Sequence, residues 1–335
     1  MISSSRGALR YAFVALCGLL LCCVQGCSPD APTVDVSHDE TPAGVASPAQ
    51  VRVVATTDFG THTLFDATVV FEEGTTALEL LQSVAEVETS YGGCFVEAIN
   101  GVGETPNSGK QDWFYCMNGI TADGGSCGYV LRDGDVEWWD FHGWSLRQNV
   151  SAAISCFPSA FVNGYDGQIR PTLVVFEEPF GPEAERILQT LSDAGTEGAR
   201  IMPLASLASG EQETSNVVLV ASSSAEPVRE IYSLSDTLGL LTHLEDGVLR
   251  VRSVSGEEVA RFTDGAGVLE AMQNPWNPSG IGACENVVLL VSGCDTAGVR
   301  AAAEALILAE GESLPMWCSA LVVEGALEPV PGMTG

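Results

Sequence analysis

Trp113-Phe114-Tyr115-Cys116-Met117-Asn118-Gly119 is the stretch on which the fold turns. The aromatic and apolar residues from Trp113 to Met117 favour an extended strand. Asn118-Gly119 stops it, because both residues tolerate the positive φ of a type I′ turn. Downstream, Gly128–Leu131 and Val136–Trp139 read as strands flanking Asp133-Gly134-Asp135, a second tight turn. Upstream, Phe95–Ile99 alternates like a strand, and Asn100 to Lys110 is a loop rich in Gly, Asn, Pro and Ser. Before that, Thr75 or Thr76 can cap a helix in which Leu78, Leu81 and Ala85 share one face. Val51–Thr56 and Thr63–Phe71 are strand-like and joined by a turn around Asp58-Phe59-Gly60. Two strands, a helix and then three or four strands imply a small β-grasp-like α+β domain over residues 51–145.

Residues 164–328 follow a different pattern. Thr172–Phe176 is an apolar run, followed by a predicted helix over Pro182–Leu191. Asn216–Ala221 leads into Glu226–Leu234, and Glu285–Ser292 leads into the Ala/Leu-rich stretch Thr296–Ala309. Val248–Val254 alternates, with Val259–Phe262 as its candidate partner. Apolar runs alternating with helices predict an α/β domain with a mostly parallel sheet, covered on both faces. Gly265-Ala266-Gly267 reads as a turn opening a helix, and Asp295 as the cap of the last helix.

Four blocks of the first half fall in a recognisable order. They are Thr76-Ala77-Leu78-Glu79-Leu80-Leu81, Val96-Glu97-Ala98-Ile99-Asn100-Gly101, Trp113 to Gly119, and Tyr129-Val130-Leu131-Arg132-Asp133-Gly134-Asp135-Val136-Glu137-Trp138. Together they resemble the transcobalamin-like C-terminal domain, the DUF4430 family. The resemblance implies a small domain that, in vitamin carriers, closes over the ligand as one half of a clamp. The helical barrel that forms the other half has no counterpart in this sequence. Members also occur on bacterial surface lipoproteins, some of them associated with vitamin uptake. The resemblance therefore implies a small ligand such as cobalamin or another corrinoid, and a membrane transporter as a partner.

The charge balance narrows the partners. Fourteen Lys+Arg stand against 44 Asp+Glu, a formal net charge of −30. Binding nucleic acid needs a basic patch to neutralise phosphates, so that class is excluded. Hydrophobic residues make up 46% and charged residues 17%, which suits a globular chain rather than a disordered one. At the N-terminus, Arg6 and Arg10 precede an apolar run from Tyr11 to Val24, too short for a comfortable membrane span. Val24-Gln25-Gly26-Cys27 then looks like a bacterial lipobox. The expectation is a lipoprotein signal peptide over residues 1–26 and a lipid-modified Cys27. A Pro/Ala/Ser/Thr-rich tether over residues 27–50 would then hold the body on the extracytoplasmic side of the cell membrane.

Seven cysteines follow Cys27, four of them in the first half. Export permits disulfides, so two bridges are expected there, and the second half keeps at least one thiol unless a bridge crosses the halves. The cysteine spacings and the four histidines do not make a zinc site, so neither metal nor resident cofactor is expected. None of the catalytic motifs of serine hydrolases, zinc proteases or nucleotide-binding folds is present, and Cys294 has only His243 as a candidate base, so the chain reads as a non-enzyme. The candidate ligand residues are Trp113, Tyr115, Asn118, Trp138 and Trp139, because flat rings with a polar edge suit a planar ligand or a partner surface. Trp138 and Trp139 are neighbours on one strand and must face opposite ways. One is core, and the other is either exposed or covered by the second domain. Two functions fit: a membrane-anchored ligand-binding lipoprotein, or a surface adhesion or scaffold module that takes a protein partner.

Overall fold

A computed structural model describes residues 48–103, 110–144, 150–309 and 314–332. The expected signal peptide, Cys27 and tether residues 27–47 lie outside the described residues. The first module begins with β1 (Gln50–Thr57), β2 (His62–Val70) and α1 (Ala77–Val84). It continues with β3 (Val87–Ser90), β4 (Phe95–Ile99), β5 (Val102–Gly103), β6 (Gln111–Met117), β7 (Ile120–Thr121) and β8 (Val136–Gly143). Its main sheet has the order β2-β1-β8-β6-β7, in which β1 and β8 run parallel and the other neighbours antiparallel. A small antiparallel sheet, β3-β4-β5, stands beside it.

Local chemistry explains these elements. Thr76 caps α1 in a reciprocal box with Glu79: Glu79 N–H donates to Thr76 Oγ1, and Thr76 N–H to Glu79 Oε2. The helix buries Ala77, Leu78, Leu80 and Leu81 and stops at Val84, so Ala85 is its cap rather than part of its face. Asn118 and Gly119 both have positive φ, and β6 folds back on β7 with Met117 opposite Ile120. Asn100-Gly101 does the same between β4 and β5, with Ile99 opposite Val102, where sequence reasoning placed the start of a loop. Gly128–Leu131 is not the strand expected. Its backbone is claimed by the entry to α1, where Ala77 N–H donates to the Tyr129 carbonyl and Leu131 N–H to that of Thr75.

The second module opens with α2 (Cys156–Val162), β9 (Thr172–Phe176), α3 (Gly181–Asp193), β10 (Arg200–Pro203) and α4 (Ser209–Thr214). Next come β11 (Asn216–Val220), α5 (Glu226–Ser233), α6 (Ser235–Leu238), β12 (Thr242–Glu245), β13 (Val248–Arg252) and β14 (Glu258–Phe262). It closes with β15 (Gly267–Gln273), β16 (Val287–Gly293), α7 (Thr296–Ile307), β17 (Ser319–Val323) and β18 (Ala326–Val330). The seven-stranded sheet has the order β10-β9-β11-β16-β15-β17-β18. From β10 to β16 its neighbours are parallel, but β15, β17 and β18 join antiparallel. The sheet is therefore mixed rather than mostly parallel. The reason lies at Gly265-Ala266-Gly267, which turns into a fully buried strand and not a helix. Asp295 does cap α7, its Oδ1 accepting from Gly298 N–H at 2.8 Å.

Residues alternate between the two faces of this sheet. Val174, Val218, Val220, Leu289 and Val291 pack with residues of α2, α3 and α7. Leu173, Val175, Val217, Leu219 and Leu290 pack with α5 and the β12–β13 hairpin. The first module reaches into the former core through Ile120, which pairs with Ala152. Gln273 completes the seam: its Nε2 donates to the carbonyls of Thr121 (3.3 Å) and Ser151 (3.2 Å). The described residues from Pro48 onward accordingly form one compact unit.

Among the described residues one disulfide forms, Cys94–Cys127, where two were expected in the first half. Cys116 and Cys156 do not pair because they sit in separate cores, Cys116 beneath the main sheet of the first module and Cys156 at the start of α2.

Candidate functional site

Strand β8 decides where the predicted aromatic residues go. Trp113, Tyr115, Trp139 and Phe141 share one face, because Trp113 pairs with Phe141 and Tyr115 with Trp139. Tyr115 stacks on Trp139 with centroids 4.9 Å apart, and Trp113 lies tilted against Phe141 at 5.4 Å. Trp138 points to the opposite face and packs with Val54, Cys116, Ala153 and Met316, so the second module covers it. Both adjacent indoles are thus buried.

Their polar atoms are engaged inside the fold. Trp113 Nε1 donates to the Val102 carbonyl (3.0 Å), Trp138 Nε1 to Thr56 Oγ1 (2.7 Å) and Trp139 Nε1 to Glu137 Oε1 (2.5 Å). Tyr115 OH donates to the Gly124 carbonyl at 2.7 Å, and burial drives its phenol far above the usual range. Asn118 is fully buried. Its Nδ2 donates to Asp135 Oδ1 and to the Gly164 carbonyl, and its Oδ1 accepts from Val136 N–H, each at 2.8 Å. Four of the five predicted residues, Trp113, Tyr115, Trp139 and Asn118, therefore build the sheet or tie it to the second module. Trp138 alone also borders a small pocket under β8.

The open site lies elsewhere, at the β3-β4-β5 sheet. A cleft of about 670 Å³ is lined by Tyr91, Phe95 and Phe141 and by the carboxylates of Glu88, Glu97 and Asp112. Alternation along β4 explains the lining: Val96 and Ala98 turn into the core while Phe95 and Glu97 turn outward. Tyr91 is 88% exposed and meets Phe95 edge to face at 5.7 Å. The Tyr91-Gly92-Gly93 turn that presents the ring has positive φ throughout, and the Cys94–Cys127 bridge anchors it. Among the described residues no cation lines the cleft; Lys110, the chain's one lysine, instead sits 4.8 Å over the Trp144 ring.

Sequence reasoning missed Tyr91, Phe95, Glu88, Glu97 and Asp112. The signal was available in part. Asn100-Gly101 marks a hairpin, and a hairpin makes Phe95 and Glu97 one solvent face. Nothing in sequence brings Asp112 beside them.

Comparison with known proteins gives the first module a family likeness. The family described as a domain of unknown function, DUF4430, matches residues 74–143. A solved structure from Ruminococcus gnavus, described as a candidate metal-binding protein, is similar over 29% of this chain and 99% of its own, at 16% identity and a TM-score of 0.24. Haptocorrin in complex with Cbi is similar over 29% of this chain, at 17% identity and a TM-score of 0.24. The chain spans 26% of the haptocorrin chain. No curated protein matches the sequence.

Proposed function

We propose that this protein is a lipid-anchored, extracytoplasmic binding protein, not an enzyme, that captures a small ligand in the acidic aromatic cleft. The observation that carries the reading is the cleft itself, with exposed Tyr91 and Phe95 beside Glu88, Glu97 and Asp112. Aromatic faces bury an apolar planar body, and carboxylates accept from N–H donors on its rim. A corrinoid has that chemistry, with a flat macrocycle edged by amide side chains. Hand-over to a membrane transporter would follow, with Cys27 as the anchor and no resident cofactor.

The test is a calorimetric titration of the purified protein with cobalamin and with cobinamide. Saturable binding is expected, weakened at least tenfold by Tyr91→Ala with Phe95→Ala, about 1.4 kcal/mol or more. No heat and no saturation for either corrinoid would sink the ligand. Mass spectrometry of membrane-extracted protein checks the anchor, since an unmodified Cys27 would remove it. The 88% exposure of Tyr91 also favours a second reading, an adhesion or scaffold surface for a basic protein partner. That reading predicts partner capture that Tyr91→Ala abolishes and no response to small molecules.

A further inference from the structure

The two exposed rings of the cleft meet at a right angle. Tyr91 and Phe95 stand with their planes at 88° and their centroids 5.7 Å apart. Such a pair makes a corner, not a parallel slot. It offers two walls to one compact group rather than a stacking platform to a broad one. Tyr91 is 88% and Phe95 41% exposed, so solvent reaches the corner. The Cys94–Cys127 bridge fixes the chain between the two rings, and Phe95 opens β4 opposite Ser90.

Strand β4 also carries a bulge. Glu88 pairs with Ala98 and Thr89 with Val96, so Glu97 has no partner across the ladder. A bulge re-aims a side chain, and Glu97 lines the cleft together with Glu88 and Asp112. Among the described residues none of these three carboxylates has an ion-pair partner, whereas Arg52, Arg200 and Arg300 pair with acids elsewhere.

The acids alone would attract any cation, as would a net charge of −30. The rings decide which kind. A metal ion needs converging oxygens, and among the described residues no group of Cys, His, Asp and Glu is placed to hold one. An alkylated ammonium spreads its charge over apolar methyl groups. These pack against aromatic faces, whose quadrupole attracts the charge.

We propose that the cleft takes a small molecule through a quaternary or otherwise alkylated ammonium group, seated in the Tyr91–Phe95 corner and flanked by Glu88, Glu97 and Asp112. The proposal rests on the cleft being the ligand site, and not on the ligand being a corrinoid.

The probes are choline and its neutral isostere 3,3-dimethylbutan-1-ol, titrated separately into the full protein. Choline is expected to bind saturably and about tenfold or more tightly than the alcohol. Its methyl proton resonance should move upfield on saturation, because an aromatic face shields a group lying over it. Tyr91→Leu with Phe95→Leu keeps apolar bulk and leaves the net charge unchanged, yet should erase the preference. A general attraction of cations to an acidic chain would survive that change. Glu88→Gln with Glu97→Gln should weaken choline and leave the alcohol unaffected. Should the leucine variant fail to fold, the methyl resonance with the unmodified protein gives the same answer. No saturable choline binding, equal affinities, a preference that survives the leucine variant, or an unmoved methyl resonance would each overturn the proposal. Choline binding without corrinoid binding would support this site and remove only the corrinoid, and corrinoid binding without choline binding would do the reverse.

Discussion

On one face of β8, Glu137, Trp139 and Phe141 pack beside the core of the first module, and Phe141 leads out to an open, acidic cleft. On the other face, Trp138, Asp140 and His142 line a smaller pocket that Val150 and Cys318 also border. Both faces carry a carboxylate and aromatic rings. They differ in how the carboxylate is treated. Asp140 has four hydrogen-bond donors, counting His142. Glu137 is fully buried with one donor, Trp139 Nε1, and its Oε2 has no partner among the described residues. The comparison teaches that two buried carboxylates on one strand can differ in how many donors meet them, and burial raises the carboxyl of the poorly served one, Glu137.

The strongest way to break the comparison is to force the two modules apart where Gly60 meets Met316. A Cβ at Gly60 would lie 1.6 Å from the Met316 carbonyl oxygen, and Gly60 has φ +82. Gly60→Ala should destabilise the protein by about 4 kcal/mol, because backbone rather than a flexible side chain must move. Chemical denaturation measures it, and a loss below about 1 kcal/mol would mean the modules are not joined as described.

The cleft side has its own staple. Cys94 and Cys127 are separated by 33 residues, and removing a bridge over a loop of that length costs about 3–4 kcal/mol. Cys94→Ala with Cys127→Ala should therefore lower stability by that amount. Binding at the cleft should fall in the folded fraction, and unchanged binding would show that the bridge does not hold the cleft in shape.

Glu137 supplies a pH signature. Burial, with Asp135 adding to it, raises its carboxyl to about 8. Between its ordinary value and about 8 the folded state holds a proton that the unfolded state has lost. Stability therefore falls as pH rises through that window, by at most about 1.4 kcal/mol per pH unit. Glu137→Gln should flatten the slope, and denaturation midpoints across the window would show whether it does.

The smallest effect is expected at the cleft rim. Gly92 has φ +83, but a Cβ there meets nothing within 4 Å. Gly92→Ala should cost only the left-handed backbone penalty, roughly 1–2 kcal/mol. A loss as large as that of Gly60→Ala would contradict the open environment of the turn.

Much of the fold was legible. The Asn118-Gly119 turn, the Thr76 cap, the alternation of Phe95–Ile99 and the apolar runs that became β9, β11 and β16 all follow from local chemistry. Strand β15 was not legible, because Gly-Ala-Gly before an apolar run suits a helix or a strand and only burial on both faces decides. The candidate site was legible as a region and not as residues. Tryptophans drew attention to β6 and β8, yet large rings are the first to be buried. The accessible pair, Tyr91 and Phe95, sits on the short hairpin beside them.

By itself the sequence determined which residues of β8 share a face, since side chains alternate along any strand. It also determined the turns, where Asn and Gly accept positive φ, and the acidic character of the chain. Only the tertiary structure decided what stands opposite each face. Alternation separates Trp138 from Trp139 but cannot say that Met316 and Cys318 close over the one. Nor can it say that the β3-β4-β5 sheet leaves a cleft at Phe141, on the same face as Trp139. The contacts over Trp138 join residues 178 and 180 positions apart, and no local preference encodes them.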